Sequence, residues 1–289
     1  MKLRMYQVDA FSEKLFTGNP AAVVILESSL KDSVMQSIAS ENNLSETAFV
    51  SIYQSPIYIR WFTPSTEVDL CGHATLASAR ILFEYHPELA GEEIIFDSKS
   101  GILKVTKNED NLCLNFPEDE PVEVNSDPIF KEILGIQPLK LLKGKDDYLA
   151  IFENQKQIEQ IQPNFLLLSK LDSRGLVISA PGDQTDFVSR CFYPEAGIEE
   201  DPVTGSAHTM LTPYWAKKLN KDKLKANQLS QRGGKLNCEL VNNRVFISFI
   251  NRSGWRKSTL YTFLISLSLI HISEPTRRRG ISYAVFCLK

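Results

Sequence analysis

The sequence predicts an α+β protein built from two similar halves. Three observations carry this. Short β-rich segments come in runs, with one long helical segment in each half, not in the alternation of a βαβ array. No G-x-G-x-x-G or Walker loop interrupts them, so a nucleotide cofactor has no support. One pattern also occurs twice. Phe62-Thr63-Pro64 precedes Gly72-His73-Ala74-Thr75, and Phe192-Tyr193-Pro194 precedes Gly205-Ser206-Ala207-His208-Thr209. Each copy reads strand, acidic loop, small-residue turn, helix. Two halves facing each other, with both helix N-termini directed into one cleft, would satisfy that repeat.

The elements follow in order. Residues 3–10 and 21–26 read as strands by their apolar and β-branched content, with Gly18-Asn19-Pro20 as the turn between them. Residues 29–42 have helical periodicity through Leu30, Val34, Met35, Ile38 and Ala39. Strands are expected at 45–52 and 57–62, and a helix at 76–84 opened by a small-residue loop. Short strands at 93–96, 101–106 and 111–116 close the first half. The stretch 117–128 is acidic, contains proline and lacks periodicity, which makes it the expected boundary. Beyond it come a helix at 129–134, a strand at 147–152 and helical sequence from 154 that breaks at Pro163. Strands at 175–180 and 186–192, a helix at 207–219 and strands at 236–240 and 244–248 complete the pattern. The run 140–145 reads as a solvated charge cluster. The expected domains are therefore 1–116 and 117–250, with 251–289 as a doubtful terminus.

That terminus has its own reading. Residues 267–289 resemble a translated sequencing-library adapter: fixed adapter codons encode 267–277 and 281–288, and the three codons between them fit an index. On this reading the natural product is cut short, and Cys287 and His271 carry no chemistry.

Composition narrows the function. The 289 residues are 43% hydrophobic and 23% charged, a globular composition rather than a disordered or disulfide-scaffold one. A net charge of −3 argues against a nucleic-acid partner. The five cysteines show no C-x-x-C spacing and no secretory leader is evident, so a reducing cytoplasm is the expected compartment. No apolar run is long enough to span a bilayer. No His/Cys/Asp cluster has metal-ligand spacing, so no metal is expected.

The repeated turns are the first candidate site. Helix N-termini present unpaired N–H groups and bind anions. Gly72, Gly205 and Ser206 are small enough to let a carboxylate reach the backbone, although tight helix packing would select the same residues. Glu46, entering a strand among apolar neighbours, is a candidate general base if desolvated and an ordinary surface glutamate if not. His73 at a helix start would be neutral and able to relay a proton, or simply structural. Asp201, before Pro202, is a second candidate acid or a turn residue, and Asp69 has the same ambiguity. Cys71 suggests thiol chemistry, but a two-thiol racemase needs a second cysteine, and the second turn, Asp201-Pro202-Val203-Thr204-Gly205, has none.

These motifs together resemble the PhzF-like (phenazine-biosynthesis-like) isomerase family. The matching text is Val8-Asp9-Ala10-Phe11, Phe16-Thr17-Gly18-Asn19-Pro20-Ala21-Ala22-Val23 and Asn43-Leu44-Ser45-Glu46-Thr47-Ala48-Phe49. It continues with Arg60-Trp61-Phe62-Thr63-Pro64, Leu70-Cys71-Gly72-His73-Ala74-Thr75-Leu76, Glu200-Asp201-Pro202-Val203-Thr204-Gly205-Ser206-Ala207-His208 and Gln231-Arg232-Gly233-Gly234. The resemblance departs after Ser248, where Phe249-Ile250-Asn251-Arg252 replaces a glycine-rich closing strand. It implies a diaminopimelate-epimerase-like fold, with two pseudo-symmetric domains that each wrap a sheet around a central helix. It also implies a cofactor-free, often homodimeric isomerase acting on a small carboxylate. Glu46 would be the acid/base, His73 and Asp201 the assisting groups, and the turns at Gly72 and Gly205-Ser206 the carboxylate cradle. A same-face proton shift needs one base, which one glutamate supplies. Epimerisation, or a non-catalytic binder that keeps the fold, are the alternatives.

Overall fold

The computed structural model describes residues 2–12, 14, 16–108, 111–125, 127–249 and 259–264. The chain opens on an antiparallel hairpin of β1 (Lys2–Ala10) and β2 (Asn19–Leu26). Its turn passes through Gly18 at φ +72°, where a Cβ would stand 2.2 Å from the Ala10 carbonyl oxygen. Only glycine meets both conditions. Helix α1 (Asp32–Asn42) ends at Asn43 in the left-handed region (φ 48°), which frees the chain to begin β3 (Glu46–Ser51) parallel to β2. β4 (Ile57–Phe62) and β5 (Glu67–Val68) follow antiparallel, then helix α2 (Gly72–Tyr85). β6 (Glu93–Asp97) returns parallel to β4, and β7 (Leu103–Asn108) and β8 (Asn111–Pro117) meander from it.

The second half repeats this path. After β9 (Val122–Val124) and α3 (Ile129–Leu134), β10 (Lys140–Lys143) and β11 (Asp147–Ile151) form the opening antiparallel pair. Short helices α4 (Gln155–Gln160) and α5 (Phe165–Leu168) cross to β12 (Gly175–Pro181), parallel to β11. β13 (Phe187–Tyr193) and β14 (Ile198–Asp201) are antiparallel, then comes helix α6 (His208–Leu219). β15 (Lys223–Gln228) returns parallel to β13, with β16 (Gly234–Val241) and β17 (Arg244–Phe249) as the meander. Every parallel and antiparallel step of the first half thus recurs. The last strands of the two meanders, β8 and β17, pair with each other and join the halves.

Burial explains the two long helices. In α2 an unbroken run from Gly72 to Ala79 is buried, as are Ile81 and Leu82, so the helix is a core element enclosed by strands. In α6 Met210, Leu211 and Trp215 are buried, and the Trp215 indole N–H donates to Ser179 Oγ at 2.9 Å. Both helices belong to one continuous apolar cluster that spans the halves. Each fully buried Leu or Ile in it contributes about 1.5–3 kcal/mol. The result is the α+β fold of two pseudo-symmetric halves that the repeat predicted.

Several expectations need correction. α2 starts at Gly72, a turn earlier than expected, so Gly72 and His73 lie in its first turn and not in a loop. The expected charge run at 140–145 contains β10, because Leu141 and Leu142 are buried between the lysines. The acidic loop before α6 contains β14, with Asp201 paired opposite Cys191. The stretch 117–128 contains β9, and β15 was missed because alternating Lys and Asn hide its two inward apolar residues, Leu224 and Ala226. Within the doubtful terminus, β18 (Thr259–Leu264) pairs antiparallel with β1. The adapter-like 267–289 lies outside the described residues. Among the described residues no helix is long and apolar enough to cross a membrane.

Candidate active site

The repeat brings equivalent element ends to one place. Glu46 begins β3, His73 stands in the first turn of α2, and Asp201 ends β14. All three line one cavity of about 380 Å³, together with Gly72, Gly205 and Ser206. The two glycines face each other: a Cβ on Gly72 would lie 3.5 Å from Gly205 Cα, and one on Gly205 would lie 3.6 Å from Gly72 Cα. Neither glycine has a positive φ, so close approach is what the position requires. Among the described residues, the backbone N–H groups of Gly72, His73, Gly205 and Ser206 make no hydrogen bond. These are the orphan donors of two helical starts.

His73 Nε2 stands 3.3 Å from Glu46 Oε2. Neither atom has a hydrogen-bond partner of good geometry among the described residues. The other ring nitrogen, Nδ1, lies 3.2 Å from the Asn19 Nδ2 amide and 3.4 Å from Cys71 Sγ. The same Asn19 amide donates to Asp201 Oδ1 at 2.7 Å and to the Val203 carbonyl at 2.9 Å, acceptors only, which fixes its orientation. Those two acceptors take both amide protons, so Asn19 has none left for Nδ1; a ring proton on Nε2 would point toward Glu46. Asp201 is braced further: Thr204 Oγ1 donates to its Oδ2, and Gln228 Nε2 donates to its carbonyl at 2.8 Å.

Electrostatics follow from burial. The Glu46 side chain is 13% exposed. Burial, then the charge of Asp201, pushes its carboxyl up to about 8, against the pull of Cys71 and Arg174. Burial also raises Asp201, to about 6, with Thr204 and Asn19 holding it lower. The two share this pocket and titrate as a pair. Burial pushes His73 down to about 3, so the imidazole is neutral. Burial, then Glu46, holds the Cys71 thiol well above its usual range. Because Asp201 raises Glu46, Asp201→Asn is expected to move the Glu46 titration to lower pH. A carboxyl-labelled NMR titration measures this, and an unmoved midpoint would leave burial as the sole cause.

The structure brings all six residues singled out in the sequence to one cavity. Asp69, the ambiguous acid of the first copy, lines its wall. Sequence spacing showed no metal cluster, but the fold places ligand atoms of Glu46, Cys71 and His73 within 4.8 Å of one another. Burial and Glu46 hold the thiol above its usual range, so a metal bound there would have to displace its proton. Cys191, the other buried thiol near Asp201, does not line the cavity. Sequence reading missed Asn19, Gln228, Asp147 and Arg174. Asn19 was visible as a turn residue and within a matching motif, with no role assigned, and the other three carry no local signal.

A protein with this two-halved fold and a cavity between paired helix starts is epimerase-like in architecture. The chain belongs to the PhzC-PhzF family, described as phenazine biosynthesis-like protein, whose model matches residues 8–248. It is 48% identical over 252 residues to an uncharacterized isomerase of Halalkalibacterium halodurans, covering 86% of this chain and 94% of that one. A crystal structure of a PhzF-family phenazine biosynthesis protein from Enterococcus faecalis superimposes with a TM-score of 0.81 at 45% identity, covering 91% of this chain and 98% of that one. A hydroxyproline epimerase from Agrobacterium vitis shares the fold alone, with a TM-score of 0.57 at 9% identity over 86% of this chain and 89% of that one.

Proposed function

We propose that the protein is a cofactor-independent isomerase that moves a proton between two carbons of a small unsaturated carboxylic acid. The observation that carries this reading is the buried Glu46 carboxyl, raised toward neutrality and facing Nε2 of the neutral His73 ring at 3.3 Å. Ionised Glu46 takes a proton from a carbon beside the π system. The C–H electron pair delocalises through that system toward the substrate carboxylate, and the new O–H on Glu46 then delivers its proton to another carbon on the same face. Electrons and protons balance without an oxidant. The N–H groups of Gly72, His73, Gly205 and Ser206, with the Ser206 hydroxyl, hold the carboxylate and stabilise its growing charge. His73 and Asp201 orient the substrate and relay protons.

The test is incubation with unsaturated cyclic acids in D2O, followed by NMR. Deuterium incorporation with double-bond migration supports the proposal, and folded protein that exchanges nothing in any acid favours a binder. Asp201, a second buried carboxyl in the same cavity, favours one rival: inversion at a single carbon, which would need Glu46 and Asp201 on opposite faces. Exchange at one stereocentre without migration identifies that case. A homodimer belongs to the same proposal, as does a small-molecule carboxylate as the only partner.

Gly205→Val tests the cradle. A Cβ at Gly205 meets Gly72 Cα at 3.6 Å and Phe11 Cζ at 3.7 Å, ordinary contacts, so alanine fits and a branched side chain crowds the facing turn. The valine variant is expected to lose carboxylate binding while Gly205→Ala retains most of it. Losing a charge-assisted hydrogen bond costs about 1.5–3 kcal/mol, or roughly 10- to 150-fold. Calorimetry on both variants measures it, with circular dichroism to check folding. Full affinity in folded Gly205→Val would move the carboxylate elsewhere.

A further inference from the structure

The pseudo-symmetry places a second polar cluster, in the other half, across the cavity from the Glu46 cluster. In the first half the opening pair is β1 and β2, and β3 joins β2 in parallel with Ala21 opposite Glu46. In the second half the opening pair is β10 and β11, and β12 joins β11 in parallel with Asp147 opposite Gly175. Glu46 at the start of β3 therefore corresponds to Gly175 at the start of β12, and Arg174 is the residue immediately before that counterpart. Asp147 then matches Ala21, two residues after Asn19, so Asn19 and Asp147 stand near but not at equivalent points of β2 and β11. His73, after Gly72, corresponds to Ser206, after Gly205. The contacts correspond as well. Asn19 reaches His73 beside Glu46, and Asp147 holds Arg174 beside Ser206. A cation thus stands one residue before the position equivalent to the first half's base, where the second half has Gly175.

Arg174 is built to face a ligand. Its Nε donates to Asp147 Oδ1 at 2.9 Å and its Nη2 to Asp147 Oδ2, a bidentate clasp. The guanidinium lies over the Tyr193 ring, 5.1 Å from its centroid. Gly175 permits this, since a Cβ there would stand 2.3 Å from Tyr193 Cδ1. Asp147 is 4% exposed, yet 38% of the Arg174 side chain is open, and it lines the cavity. Its Nη2 also reaches Ser206 Oγ at 3.4 Å. Among the described residues, Nη1 has no partner. Burial works against the charge, but Asp147 keeps the guanidinium protonated.

The cavity's charge gives this residue its consequence. Glu46, Glu67, Asp69, Asp146 and Asp201 line it, and Arg174 is the one cation among the described lining residues. Glu67 is paired with Arg60 at 2.7 Å and Glu46 holds its proton up to about 8, which leaves Asp69, Asp146 and Asp201 as the acids of the wall. An anionic substrate entering it needs a positive counterweight. We propose that Arg174 is the specificity-determining residue of the site: anchored by Asp147 and Tyr193, it binds the acid group of the substrate beside Ser206, so that free acids are selected over their amides and esters. This rests on the carboxylate-isomerase reading and adds the residue that sets its substrate class.

The probes are cyclohex-1-ene-carboxylate and its carboxamide, bound to the whole protein and read by calorimetry without turnover. Wild type is expected to prefer the acid by about tenfold or more. Arg174→Gln with Asp147→Asn removes both members of the pair, leaves no lone buried charge, and is expected to bring the ratio close to one. Arg174→Lys keeps the charge but not the fork and is expected to retain part of the preference, which a purely structural role would not do. An unchanged ratio in the folded double variant overturns the proposal. So does a wild type that fails to distinguish the probes, or that binds neither at millimolar concentration. Gly205→Val and solvent exchange read the cradle and the base separately, so failure of either is distinguishable from failure at Arg174.

Discussion

Glu46→Gln is expected to keep the fold and lose about 10²- to 10⁴-fold in turnover, the usual contribution of a general acid–base group. Glutamine preserves the shape of the side chain but cannot take a proton, so solvent deuterium exchange should fall with turnover. The same variant is expected to be more stable than wild type at neutral pH, and the sign follows from linkage. Unfolded, Glu46 ionises above its ordinary value of 4.5, whereas folded it holds its proton up to about 8. Wild-type stability therefore declines as pH rises between those values, because the unfolded chain releases a proton that the folded chain retains. A glutamine has no proton to release and escapes that decline. Thermal melts from pH 4 to 9 should show the curves of the two proteins separating above pH 4.5, with the variant higher, and running parallel above pH 8. Exchange at the wild-type rate would remove Glu46 as the base. Curves that never separate would show its carboxyl to be solvated in the folded state.

The same contrast explains what was legible in the sequence. The fold class was readable because α2 and α6 announce themselves by long apolar stretches and because the repeated F-x-P and G-x-A text marks equivalent points of two halves. Glu46, His73, Asp201, Gly72, Gly205 and Ser206 were readable because each sits at the end of an element that the repeat or the flanking motifs locate. Their burial was not readable, since enclosure by the opposite half is a property of tertiary packing. Elements whose inward residues are few escaped as well: β14 reads as acidic loop, and β10 reads as a charge run. Arg174, Asp147 and Gln228 are distant in sequence from every motif. Their roles arise from strand register and from hydrogen bonds across 27, 32 and 24 residues. Asn19 is the instructive case. Its local text, Gly18-Asn19-Pro20, signals a turn correctly, and nothing local signals that its side chain crosses to residues 182 and 184 positions away.

That crossing makes Asn19→Leu the second variant with a large expected effect. Leucine keeps the branched shape of asparagine, with larger end groups, and removes every hydrogen bond. Asp201 Oδ1 and the Val203 carbonyl then lose their donor, and His73 Nδ1 loses a polar neighbour at 3.2 Å. Asp201 loses a bond that holds its carboxyl down, so its titration is expected to move to higher pH. A proton retained on Asp201 removes a negative charge near Glu46, so the Glu46 midpoint should fall as Asp201 rises. His73 Nδ1 keeps only the Cys71 thiol at 3.4 Å, a weak donor, and the imidazole is free to move its proton to Nδ1. In that tautomer Nε2 presents a lone pair to Glu46 and can no longer donate toward it. Turnover is expected to fall about 10²-fold or more, since an acid–base pair in the wrong protonation state loses most of the general acid–base contribution. The diagnostic reading is ¹⁵N NMR of the His73 ring. Wild type should show Nε2 protonated and Nδ1 as acceptor, and the variant should show a mixture or a reversal. Asn19→Asp complements it, because a carboxylate offers Asp201 no proton unless it is itself protonated. Its activity should therefore recover in part at low pH, where Asn19→Leu stays impaired. A His73 tautomer unchanged in folded Asn19→Leu would mean that Cys71 alone orients the ring, and would reduce Asn19 to a latch between the halves.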